Sequence, residues 1–179
     1  MTLTDMKKLF FILIFLSAAM FVSAQEEFKP LFKIPSIVVT DIDGNKINTA
    51  ELTNNGKPFI ISFWATWCKP CVKELTTIAD VYQDWQDETG VKLIAVSVDN
   101  SRSVAQVKPM VNGKNWEYQV LLDVNNELKH AMNVNAVPHT FLVNGKGEVV
   151  WQHTSFSEGA ELELISLVKE LEKAESSSK

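Results

Sequence analysis

Cysteine is scarce in this chain: its 179 residues hold two, Cys68 and Cys71. Two do not make a disulfide scaffold, which staples a small core with several bridges. Histidine is almost as scarce. His130, His139 and His153 lack the paired spacing that would complete a four-ligand zinc site around two cysteines. Positive charge is short too, with 17 Lys and Arg against 22 Asp and Glu and a formal net charge of −5. Such a balance offers no basic footprint for nucleic acid. There are no internal repeats, and long hydrophobic runs are missing with one exception, Leu9–Val22 near the N-terminus.

That run, LFFILIFLSAAMFV, follows Lys7 and Lys8. It falls short of the roughly 20 apolar residues that cross a bilayer comfortably. Val22-Ser23-Ala24 supplies small residues for cleavage, so residues 1–24 are predicted to be an export signal, with Gln25 as the new N-terminus. Two alternatives stay open: Met6 as the true start, and retention of the apolar run as an uncleaved membrane anchor. No cysteine follows the run to accept a lipid. Export implies an oxidising surrounding, where a reactive dithiol stays reduced only if something supplies electrons. Behind the signal, 25–35 reads as a leader, 36–173 as one domain of a length suited to a proper core, and 174–179 as a polar, disordered tail.

What is present is concentrated in Phe59 to Glu74, FIISFWATWCKPCVKE: an apolar strand, a Cys-x-x-C pair and the start of a helix. Two sulfurs this close in sequence can join only if the backbone turns sharply, as the first turn of a helix does. Pro70 suits that turn, since an early helical position needs no N–H partner. Cys68 then falls at or near the N-cap, where unpaired N–H groups and the positive end of the helix dipole favour thiolate over thiol. Cysteines so placed have pKa values of about 3.5 to 7.5, against about 8.5 for a free thiol. Cys68 is therefore the expected nucleophile, with Lys69 adding positive charge. Cys71, one turn inside, is the expected resolving thiol.

Other readings of the pair stay open. A structural disulfide would close a two-residue loop and so remove little chain entropy. A copper(I) carrier could combine both thiolates with one histidine. Glu74, three residues after Cys71, is either one more solvated helix acid or a carboxyl close to the second thiol.

The rest of the chain supplies an α/β frame. Ile37–Ile47 reads as a hairpin about Asp43-Gly44, and Phe59–Trp64 as a buried central strand. A helix is expected over Pro70–Thr89, with Leu75, Ile78, Tyr82 and Trp85 inward, Lys73, Asp80, Asp84 and Asp87 outward, and Gly90 as its stop. Lys92–Val98 follows as a strand parallel to the first. Arg102–Val111 reads as a weaker helix capped by Ser101 and bent or ended early by Pro109. A short strand over Trp116–Leu122 and a short helix over Asn126–Met132 come next. Thr140–Val143 and Glu148–His153 form a hairpin, and Glu161–Glu172 closes the domain as a helix resting on Leu162, Ile165, Val168 and Leu171. Trp64 and His139 read as packing residues, and His130 and His153 as surface or packing residues.

Strand, Trp-Cys-x-x-Cys, long helix, strand, helix, then Val-Pro before a hairpin and a last helix: this order resembles the thioredoxin superfamily. Through FWATWCKPC, the N-terminal hairpin and the extra segment between Asp99 and Asn135, it is most similar to the exported TlpA/ResA-like thiol-disulfide oxidoreductases. The resemblance covers roughly Ile34 to Leu171. It implies a thioredoxin-like fold, with a mixed sheet flanked by helices, an N-terminal hairpin and an insertion before the strand that follows Pro138. It also implies that Pro138 is cis, that Val137 touches substrate, that Trp67 flanks the dithiol, and that Thr66 and Lys69, with Pro70, shape its rim. Ser62 stands where thioredoxins carry a buried aspartate. Glu74 matches the acid that ResA-like proteins place behind the second cysteine, which would make it the proton acceptor for Cys71.

The resulting expectation is an exported enzyme that needs no cofactor, reduces disulfides of exported proteins such as apocytochrome c, and draws electrons from a membrane-bound donor. The direction of electron flow stays open. Family resemblance favours a reductase, whereas Lys69, by stabilising the thiolate, pushes toward a disulfide oxidase or isomerase.

Overall fold

The computed structural model describes residues 28–177. The export signal expected over residues 1–24 lies outside them. In chain order the strands are β1 (Phe32–Lys33), β2 (Val38–Asp41), β3 (Lys46–Asn48), β4 (Phe59–Trp64), β5 (Lys92–Ser97), β6 (Gln119–Leu122), β7 (His139–Val143) and β8 (Glu148–Thr154). The helices are α1 (Lys69–Thr89), α2 (Val107–Gly113), α3 (Glu127–Ala131) and α4 (Ala160–Ser177). All eight strands join one mixed sheet in the order β1-β8-β7-β4-β5-β6-β2-β3. This is the thioredoxin-like arrangement of sheet and helices.

Strand β4 is the keel of the sheet. It runs parallel to β5 and antiparallel to β7, and every one of its residues is buried. An apolar run suits a strand covered on both faces; Ser62 is the single polar interruption. The chain leaves β4 directly into α1, which lays Leu75, Ile78, Tyr82 and Trp85 on the core and turns Lys73, Asp80, Asp84 and Asp87 to solvent. Gly90 ends the helix in the left-handed region at φ 70°, its N–H donating to Gln86 O at 2.8 Å. A side chain is disfavoured in that conformation. Helix α4 packs against α1 and buries Leu164, Val168 and Leu171.

Several boundaries depart from the sequence reading, each for a local reason. The leader is not merely a lead-in: β1 pairs with β8 and forms one edge of the sheet, Phe32 meets the Phe141 ring edge-on, and Ile34 is buried. The weak helix begins later than expected. Asn100 accepts the Arg102 N–H on its side-chain oxygen, so Ser101 caps nothing, and a 3-10 turn at Val104–Gln106 leads into α2. Pro109 does not end α2, because it falls in the first turn, where an N–H has no intrahelical acceptor to lose. Leu162 is exposed; Leu164 and Leu167 take its place inward. Helix α4 also runs on to Ser177, through residues expected as a disordered tail. The segment between Asp99 and Asn135 is no mere insertion, since its β6 lies between β5 and β2 and carries the N-terminal hairpin into the sheet.

Candidate active site

The two cysteines sit where β4 hands over to α1. Cys68 is the N-cap, extended at φ −89° and ψ 94°, with Lys69 and Pro70 as the first helical residues. Its Sγ accepts the Cys71 N–H at 3.3 Å, which satisfies one of the donors that a helix start leaves free. Cys68 and Cys71 are joined as a disulfide, with an S–S distance of 2.04 Å and Cα atoms 5.3 Å apart. Cys71 is closed from solvent and Cys68 nearly so. Beside them Trp67 stands 65% exposed, an unusual position for a large ring. Lys69 and Pro70 are exposed, and Thr66 is half-buried.

The loop before β7 closes the site from the other side. The Val137-Pro138 peptide is cis, and Val137 O lies 3.7 Å from Cys68 Sγ. The antiparallel pairing of β7 with β4 brings these two segments, far apart in sequence, together. Val137 is half-buried and Pro138 buried, so the rim around the disulfide consists of Trp67, Val137 and the start of α1. His139 points elsewhere: its ring stacks on Phe141 at 4.2 Å and its Nε2 lies 3.0 Å from Gln152 Oε1. Burial holds its pKa below the ordinary imidazole value, with the Gln152 contact acting the other way. Trp64 is wholly buried, His130 is exposed, and His153 stacks on Trp151.

Glu74 is not a solvated helix acid. It is buried on the inner face of α1, one turn beyond Cys71. Its Oε1 accepts the Thr140 hydroxyl at 2.8 Å, and Thr140 Oγ1 is also 3.1 Å from Ser62 Oγ. One hydroxyl hydrogen serves one acceptor, so while Thr140 donates to Glu74, Ser62 can donate to Thr140. Ser62, on the central strand, thus supports a carboxylate that belongs to the neighbouring helix. Burial pushes the Glu74 carboxyl up to about 7, the Thr140 hydrogen bond partly opposing it. Tyr118, whose hydroxyl donates to Leu75 O at 3.1 Å, is pushed upward by burial and then by the charge of Glu74.

Asp99 went unmarked in the sequence reading, yet it is fully buried just past β5. It accepts the Thr66 N–H at 2.8 Å, the Thr66 hydroxyl at 2.7 Å and the Ser97 hydroxyl at 2.9 Å. A buried carboxylate is tolerated only when it is so supplied with donors. Through Thr66 it anchors the turn that carries Trp67 and Cys68. The one available signal was Ser97-Val98-Asp99 at the end of a strand parallel to β4, which brings the two strand ends side by side. Among the described residues no three His, Cys, Asp or Glu side chains gather in a way that could hold a metal ion.

Residues 30–152 match the AhpC/TSA family. The thiol-disulfide oxidoreductase ResA of Bacillus anthracis is 36% identical over 118 residues, 66% of this chain and 65% of that protein. A ResA of Bacillus cereus is 33% identical over 128 residues, 72% of this chain and 71% of the relative. The chain therefore spans about 65% of the length of the first of these curated relatives. Among solved structures, a thioredoxin-like protein from Porphyromonas gingivalis is 52% identical and superposes with a TM-score of 0.70, covering 78% of this chain and 92% of that one. By the extent of these matches the chain belongs to the AhpC/TSA family, on its thioredoxin-fold, ResA-like side.

Proposed function

We propose that this protein is an exported thiol-disulfide oxidoreductase that reduces disulfides of exported proteins through Cys68 and Cys71. The reading rests on one juxtaposition: a cysteine pair at a helix N-terminus, 3.7 Å from the Val137 carbonyl, with an exposed tryptophan beside it and a buried carboxyl behind it. The ResA relatives, each described as a thiol-disulfide oxidoreductase, support the same chemistry. Lys7, Lys8 and the apolar run to Val22 support export.

In the reducing direction, the Cys68 thiolate attacks one sulfur of the substrate disulfide. A mixed disulfide forms and the first substrate thiolate leaves. Trp67 and Val137 hold the substrate segment against the pair, and Lys69 and Pro70 shape the rim beside it. Cys71 then gives its proton to the Glu74 carboxylate and attacks Cys68 Sγ. The Cys68–Cys71 bond closes, and the second substrate thiolate departs. Two electrons pass to the substrate, and a membrane-bound electron donor restores the reduced pair. No cofactor is consumed. Cysteine pairs of apocytochrome c belong to the substrate class that this cycle suits.

The test uses the reduced protein and a peptide with one intramolecular disulfide. Wild-type protein should become oxidised as the peptide is reduced, Cys71→Ser should accumulate a mixed disulfide at Cys68, and Cys68→Ser should do neither. Undiminished peptide reduction by Cys68→Ser would refute the reading.

A further inference from the structure

Beside Glu74, residues of α1, β7, β8 and α4 line a small cavity of about 20 Å³. Its polar lining comes from Glu74, Thr140, His153, Glu161 and Glu163. Thr140 occupies Oε1 of Glu74 and leaves Oε2 closed from solvent with no protein partner. Glu74 as a whole is 8% exposed. Across the cavity, in the first turn of α4, Oε2 of Glu161 is also closed from solvent and without a protein partner. Two carboxyl oxygens in this state on one small cavity call for a shared partner, because a buried acceptor left unsatisfied costs about 1–3 kcal/mol. A water needs at least about 10–15 Å³ and two to four polar neighbours, and the cavity meets both conditions.

We propose that this cavity holds one water that bridges Glu74 and Glu161, and that Glu161 is thereby a positioning residue for the proton taken from Cys71. The proposal rests on the oxidoreductase reading above, since it concerns the same carboxyl. Its chemical sense lies in the geometry of the cycle. With a substrate joined to Cys68, the rim at Trp67 and Val137 is covered, so a proton held by Glu74 needs a route that does not pass through that rim, and the cavity lined by Glu74 and Glu161 offers one. The bridge also favours one proton for the two carboxyls. A protonated Glu74 donates to the water, and the water donates to Oε2 of Glu161.

Other groups set the background. From β4 and β7, Ser62 and Thr140 are neutral. The Tyr118 phenol lies within electrostatic reach of Glu74. From β8, His153 pairs with Thr140 across the strands, and from α4 Glu163 completes the acidic side. On α1 itself, the Lys73 ammonium is turned outward and paired with Glu158.

The test is the pH profile of mixed-disulfide resolution at Cys68, measured by rapid mixing for wild type, Glu74→Gln, Glu161→Gln and Glu161→Asp. Infrared titration of the protonated Glu74 carboxyl, assigned by its loss in Glu74→Gln, gives the midpoint independently. Glu161→Gln should lower both midpoints by at least about half a pH unit, about threefold at fixed pH, and Glu161→Asp should restore much of the shift. A merely structural role for Glu161 would change melting without moving the midpoints. Unmoved midpoints in Glu161→Gln, with Glu74→Gln still slowing resolution, would overturn the bridge and leave the oxidoreductase reading intact. A profile unaffected by Glu74→Gln would remove the proton-acceptor role, and the bridge with it.

Discussion

At the scale of single residues, two buried carboxyls adjoin the segment that carries the cysteine pair, Asp99 through Thr66 before it and Glu74 in the helix after it. Glu74 has a folded-state pKa of about 7, above the ordinary 4.5, so the folded protein holds the proton more tightly than the unfolded chain. Its contribution to stability is full below pH 4.5 and is lost as pH rises through 7. The shift corresponds to about 3 kcal/mol. Urea unfolding of the oxidised protein should show stability falling across this window by that order more in wild type than in Glu74→Gln. Asp99 acts through hydrogen bonds instead. Asp99→Ala strips acceptors from the Thr66 N–H, the Thr66 hydroxyl and the Ser97 hydroxyl, and should cost about 1–3 kcal/mol in denaturant unfolding. The two carboxyls differ in how they could be read beforehand. Glu74 lies one helical turn from Cys71, a local relation that spacing exposes. Asp99 is 33 residues from Thr66, and only the parallel pairing of β4 with β5 brings them together.

At the scale of elements, the start of α1 carries the cysteine pair. Cys68 is the N-cap, its sulfur already accepts an N–H, and Pro70 occupies a position that has no hydrogen bond to lose. In the reduced protein the same arrangement favours the Cys68 thiolate. Alkylation by iodoacetamide against pH should therefore report a Cys68 pKa below the roughly 8.5 of a free thiol, with Cys71 reacting far more slowly because it is buried. A Cys68 midpoint at or above 8.5 would mean that the helix start does not activate the thiol. Elements with strong periodicity were legible: β4 and the end of α1 fall where the apolar run and Gly90 put them. Those set by long-range partners were not. Phe32 sits in a short, mixed stretch whose strand character depends on β8, and Leu162 shares the helical spacing of its neighbours while facing solvent. Pro109 misled because its effect depends on where the helix begins.

At the scale of the whole molecule, the sheet order brings two distant segments to one edge of the disulfide. The β4–α1 junction carries the sulfurs, and the turn into β7 carries Val137 and Pro138. Order and spacing of the motifs allowed that juxtaposition to be expected by resemblance; periodicity alone could not supply it, since nothing local links Cys68 to a residue 69 positions away. The fold leaves the direction of electron flow to the balance between two terms. Stabilisation of the Cys68 thiolate by the helix start and Lys69 favours the reduced pair and makes the protein more oxidising. The buried Glu74 carboxylate, by disfavouring further negative charge at Cys71, acts in the reducing direction. The measurement that weighs these terms directly is the reduction potential of the Cys68–Cys71 pair, by equilibration in graded thiol buffers with trapping of free thiols. A reductase of exported proteins requires a value toward about −270 mV, the thioredoxin end of the range, whereas a value toward about −120 mV would make the protein an oxidant and contradict the reductase account.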